Sequence, residues 1–345
     1  MSLRRPPAIS RDDCMKREIG IDLLRGASML YLVGFWHLLE YTRAIPHYQN
    51  DITHRVTWIT LGIFFFISGY LIGAGRTSLS ARGLGSYYLK RFWRIYPLFL
   101  VALAWFTHLG ICRHDIAVRA ALGISVFLGP APPTLWFVAM IIVFYLAAPA
   151  LLYVSRHRSG MEAFLLNLAV MLAMYWYLVV TGRLELRMLV YFSVFFLGIY
   201  AGAKPQVFTR RKTVVALAVL SFMLSFFTHV RSLPMRVVTI VPMIAFCSLF
   251  VVMLARELRI GQGRLRTGIL ALSSASYCMY LFHRPVYILA NRYYFPDTPW
   301  LQVAYLVGCC LPAVILLAYV VQKGYDFVVN GFPVWLGAVL QAWRA

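Results

Sequence analysis

From residue 20 to residue 322 the chain alternates apolar runs, each close to the length a helix needs to cross a bilayer, with short basic stretches. A bilayer core of about 30 Å takes about 20 apolar residues in a helix, and runs of that length and composition read as membrane-spanning helices. Only 13% of the residues are charged and 61% are hydrophobic, against about 25% charged in a soluble domain. The fold class expected is therefore all-α and polytopic, with about ten transmembrane helices. Residues 1–345 read as a single integral membrane domain with no room for a large soluble module. The spans fall at 20–41, 55–75, 95–112, 134–154, 162–181, 188–203, 213–230, 237–255, 269–290 and 301–322.

Charge sets the orientation. The chain holds 33 Lys and Arg against 12 Asp and Glu, a net +21. Such an excess can mark a nucleic-acid partner, but roughly two thirds of the cations lie in the segments that alternate onto one side, as the positive-inside bias requires. Both termini are thereby expected in the cytoplasm, with 1–19 and 323–345 as tails and no nucleic acid as partner. Membrane lipid surrounds the bundle, in the inner (cytoplasmic) membrane of the cell. The first residues lack the order of basic region, apolar core and cleavage site that marks a signal peptide, so the first span is expected to stay as an anchor. Six cysteines show neither metal-ligand nor disulfide-framework spacing, and no metal is assigned.

One span is unlike the others. Residues 21–42 carry Asp22, Arg25, His37 and Glu40, and each ionisable group at a helix centre costs roughly 2.5–3.5 kcal/mol to insert. His37 lies twelve residues beyond Arg25, about 18 Å along a helix and well inside the hydrocarbon. A neutral imidazole there can take a proton from a hydroxyl as a general base, or act as a nucleophile itself. Glu40, three residues on, can orient that ring and stabilise the imidazolium. Arg91 and Arg94, at i and i+3, share a helix face where the third span enters the membrane.

These residues belong to an ordered set. Asp22-x-x-Arg25-Gly26 precedes His37, then FFFISGYLIG at 64–73 and KRFWRIYP at 90–97. Leu135-Trp136-Phe137 opens a fourth span containing Tyr145 and Pro149, and Ser276-Tyr277 leads into Tyr280-Leu281-Phe282-His283-Arg284-Pro285. In this order the set resembles the membrane acyltransferase family 3, over nearly the whole chain. The resemblance implies transfer of an acetyl or other short acyl group from acyl-coenzyme A to a sugar hydroxyl. The donor is then a substrate, acetyl-CoA or another acyl-CoA, and no cofactor is bound permanently. Its phosphates are expected on Arg25, Arg91 and Arg94, whose planar guanidinium groups can grip them with paired hydrogen bonds. His37 and Glu40 form the catalytic pair. Trp136, Tyr145 and His283 contact the acceptor, a glycan or lipid-linked saccharide. Asp22, Ser68 and Gly69 are structural, the small pair Ser68-Gly69 letting the second helix pack closely on the first.

Two departures from the family pattern bear on the site. Relatives commonly place ten residues between the arginine and the histidine, and this chain has eleven. At 3.6 residues per turn, ten leave the two side chains about 20° apart around the helix and eleven leave about 120°. A one-residue π-bulge near Gly34 restores the register, and such bulges occur at functional sites. The fourth span also lacks the acidic residues found after the tryptophan in relatives, so a carboxylate role passes to Glu40 or Asp115 or falls away. The rival from another class is a secondary transporter binding an anionic solute on its intramembrane His and Arg, which the lack of an internal repeat disfavours.

Overall fold

The computed structural model describes residues 18–227 and 233–342. The amino-terminal tail and part of the tight turn expected after the seventh span lie outside the described residues. Among those described there is no strand. Helix α1, Ile19–Tyr31, continues as a π turn over Leu32–His37 and closes with a 3-10 turn, Leu39–Tyr41. There follow α2 (Asp51–Ala74), α3 (Ala81–His108), the short α4 (His114–Ala121) and α5 (Ser125–Leu128), α6 (Trp136–His157), α7 (Gly160–Thr181) and α8 (Arg187–Ala203). The chain continues through α9 (Arg211–Phe227), α10 (Leu233–Glu257), α11 (Arg264–Tyr293), α12 (Pro299–Tyr305), a second π turn at Leu306–Cys310, and α13 (Leu311–Ala342).

Each expected span is occupied by a helix as far as it is described, and among the described residues six helical stretches are long and apolar enough to cross a membrane. The protein is an all-α polytopic membrane protein. Helix α11 misses that threshold because His283, Arg284 and three serines sit among its apolar residues. Helix α3 misses it because its apolar part, residues 95–108, is too short without the basic residues before it. It begins at Ala81, well before the expected start at 95, because Ser80 caps it by accepting the Gly83 N–H. The basic stretch before the apolar run is thus helical.

Contacts at the chain turns divide the bundle into two ends. At the basic end Glu18 pairs with Arg256 at 3.2 Å and accepts the Tyr70 hydroxyl. There too Arg156, in the last turn of α6, donates to the carbonyls of Thr77 (2.8 Å) and Gly75 (2.9 Å). At the opposite end Glu40 pairs with Arg284, Thr42 donates to Gln302, and Tyr280 donates to the Thr134 carbonyl.

Gly69 does mark a close crossing, but its partner is α8 and not α1. A Cβ on Gly69 would lie 2.2 Å from the Phe195 carbonyl oxygen, and one on Gly198 2.3 Å from that of Phe66. With the glycines on both helices, backbone meets backbone, and Phe65, Phe66, Phe144 and Phe195 fill the core beside the crossing. Two internal prolines, Pro149 and Pro97, are compensated by tyrosines. Pro149 removes the amide that would serve the Tyr145 carbonyl, and Tyr87 donates to that oxygen at 3.2 Å. Pro97 does the same to the Trp93 carbonyl, which takes the Tyr325 hydroxyl.

Candidate active site

The π turn expected from the residue count is present, and Gly34 lies within it. A π turn absorbs one extra residue into a full rotation, which brings twelve steps back to the angle of eleven, about 20° between Arg25 and His37. Helix α1 packs along α11. Asp22, buried, accepts the Ser273 hydroxyl at 2.6 Å, and Gly26 sits against Leu272. At the far end of the same seam His37 meets His283: the rings stack with centroids 4.8 Å apart and planes 5° from parallel.

His283 is fully buried. Its Nδ1 faces the carbonyls of Tyr280 (2.9 Å) and Met279 (3.2 Å), two acceptors. Nδ1 therefore carries the hydrogen and Nε2 the lone pair, assigned from the bonding partners. That Nε2 is buried without a hydrogen-bond partner, and so is His37 Nδ1. Two such atoms on stacked rings are unusual, because a buried polar group without a partner costs about 1–3 kcal/mol. Unsatisfied polarity gathered around paired imidazoles is what a polar reactant would complete.

Glu40 does not orient His37 as expected. Its carboxylate accepts from Arg284 at 2.7 Å, and the group packed on the His37 ring is His283. The pair links the end of the first span to α11. Asp115 lies elsewhere, bonded to Arg113 and Arg119 in α4 and its approach, and takes no part.

At the basic end Arg91 and Arg94 line a cavity of about 420 Å³ together with Arg76, Thr77, Ser78, Ser86 and Lys90. The Arg91 guanidinium lies 4.8 Å from the centre of the Tyr145 ring, a cation–π contact that holds it in place. Tyr145 is thus a support for the cationic cavity and not a wall beside the imidazoles. Arg25 is not among the cavity-lining residues. Trp136 heads α6 toward the opposite end, where Tyr191 stacks on it and the Arg187 guanidinium lies 4.3 Å from its centre. With those neighbours its ring is engaged within the protein. Ser68 is half-buried beside Gly69.

Sequence reasoning passed over several contributors. Arg76 and Lys90 are two cations among many in the basic stretches, with nothing in the sequence to single them out. Tyr287, four residues after His283 and so on the same helix face, was legible in principle from that spacing. Arg156 carried no signal that set it apart from its neighbours.

Taken together, the fold and site define a multi-pass membrane protein with a cationic cavity at one end and a buried pair of imidazoles at the other. Residues 18–319 match the acyltransferase domain model of acyltransferase family 3, and the chain belongs to that family. No curated protein and no solved structure matches the chain.

Proposed function

We propose that the protein is an O-acyltransferase of the cell inner membrane. It takes an acyl group, in the first instance acetyl, from cytoplasmic acyl-CoA and passes it to a hydroxyl of a cell-envelope or exported glycan, free or lipid-linked. The single observation that carries this reading is the division of labour along one bundle. Four cations, Arg76, Lys90, Arg91 and Arg94, share a cavity at the basic end, and His37 and His283 stack at the other.

The cations suit the phosphates of the donor, and arginine forks suit them best. The acyl end must then reach His37 from the basic end of the bundle. His37 is the less buried ring of the pair, so it is the one a hydroxyl reaches. It accepts the hydroxyl proton as the oxygen attacks the thioester carbonyl. The C–S bond breaks, the sulfur leaves as thiolate, and the imidazolium returns the proton to it. The products are the O-acyl ester and free coenzyme A. A positioned base of this kind contributes about 10²–10⁴-fold.

Purified protein with labelled acetyl-CoA tests the assignment. Binding should disappear in Arg91→Ala, and transfer should disappear in His37→Ala while binding persists. Mass spectrometry of surface glycans from cells with and without the gene then identifies the acceptor by loss of an acetyl-sized mass. Solute flux without acyl transfer would refute the proposal.

A further inference from the structure

We infer that Tyr287 is a positioning residue for His37, acting through the π turn of the first span; the inference rests on the reading of His37 as the reacting imidazole.

A π turn is a poorer arrangement than the α-helix around it and persists where tertiary contacts hold it. The amide that the π pattern would send to the Val33 carbonyl, that of Leu38, bonds to Phe35 instead. The Tyr287 hydroxyl donates to the Val33 carbonyl at 3.1 Å. Tyr287 is fully buried, so no water takes over that bond. Its ring also packs edge-on against His283 (6.0 Å) and Tyr41 (5.4 Å).

Two further contacts bracket the turn. Tyr31, just before it, bonds to the Thr53 carbonyl and the Thr57 hydroxyl of α2, both at 3.2 Å. Gly34, inside it, leaves room for Leu311, whose Cδ2 would be 3.0 Å from a Cβ there. Among these three, the Tyr287 hydroxyl alone bonds the turn's own backbone. One helix face of α11 therefore supplies the ring that His37 stacks on and, one turn later, the bond that fixes where His37 points.

The extra residue makes this tie necessary. Without the π turn, twelve regular steps would rotate His37 by about 100° from its present direction, off His283. Deleting one residue from the turn removes the need, because eleven regular steps reach nearly the same angle. Gly34 is the residue to delete, since it contributes no side chain.

The experiment compares four full-length proteins in detergent: wild type, Tyr287→Phe, the Gly34 deletion, and the two combined. Tyr287→Phe should lower kcat about tenfold, the size of one lost buried hydrogen bond, with KM for acetyl-CoA unchanged. The deletion should stay within a few-fold of wild type, and in the shortened chain Tyr287→Phe should cost nothing further. A merely structural tyrosine would lose the same factor in both backgrounds, and that result overturns the proposal, as does full kcat in Tyr287→Phe. If the shortened chain does not accumulate, hydrogen–deuterium exchange over residues 31–41 decides: faster exchange in Tyr287→Phe supports the tie and unchanged exchange refutes it. That measurement needs no turnover. A wild type that transfers no acyl group would sink the functional reading while leaving the Tyr287 tie to be judged by exchange.

Discussion

Arg156 offers the sharpest test of whether the basic cavity binds the donor. It sits at the end of α6, outside the cavity, and its guanidinium bridges the carbonyls of Gly75 and Thr77 at 2.9 and 2.8 Å. Those carbonyls belong to the segment between α2 and α3 that carries Arg76, Thr77 and Ser78 to the cavity wall. Hydrogen bonds to a charged group contribute about 1.5–3 kcal/mol each when well buried. Arg156 is half-buried, so about 1 kcal/mol each is the better figure, about 2 kcal/mol for both. In Arg156→Gln the segment loses its clamp and must be ordered when the donor binds, which moves that cost into the donor Kd. The expected loss is roughly thirty-fold in acetyl-CoA affinity, with kcat at saturating donor unchanged. Arg156→Lys, able to keep one bond, should fall between. Isothermal titration and steady-state transfer rates with purified protein measure both quantities, with thermal unfolding as control for the fold. Unchanged affinity, or a fall in kcat with KM preserved, would refute the link between this segment and the donor.

Other substitutions follow from the same geometry. Arg91→Lys keeps the charge but loses the planar fork and most of the contact with Tyr145, so donor affinity should drop by about 3- to 30-fold with little change in kcat, read from the same titrations. Gly69→Ala would put a Cβ 2.2 Å from a backbone oxygen of α8. Overpacking of that kind costs about 1–3 kcal/mol or more, and the unfolding temperature in detergent should fall clearly. At Gly268, where an added Cβ meets no heavy atom within 4 Å, Ala should raise it slightly, by about 0.5–1 kcal/mol of helix preference.

How far the residues foretold this molecule depends on the range over which each feature is decided. The helices were legible because hydropathy is a local property and the bilayer sets their length. The π turn was legible too, since a spacing of eleven against a pitch of 3.6 can be judged within one helix. The start of α3 at Ala81 was missed because polar, cationic residues read as a loop when judged by apolarity. The roles of His283, Tyr145 and Glu40 depend on contacts between segments far apart in the chain. Nothing near Glu40 announces that Arg284 will reach it first, and nothing near Tyr145 announces Arg91. Arg156 shows the same limit: in a chain where cations gather on one side for topological reasons, a cation with a second task has no distinguishing neighbour.

Three of the ionisable groups that made the first span anomalous, Asp22, His37 and Glu40, are met from α11. Asp22 meets Ser273, His37 meets His283, and Glu40 meets Arg284. The side chains of Glu40 and Arg284 are 29% and 24% exposed, so each charge is held in place by the other. Glu40→Gln leaves a lone cation next to His283, facing the imidazolium that forms during transfer. Turnover should fall, and Arg284→Gln in the same chain should restore part of it, because removing both charges avoids the uncompensated one. The coupling should be about 1–2 kcal/mol, between the values for exposed and buried pairs. Transfer rates of the two single variants and the double variant measure it. Additive losses would show that Glu40 and Arg284 act separately, and would leave the charge on the first span without the compensation that its position demands.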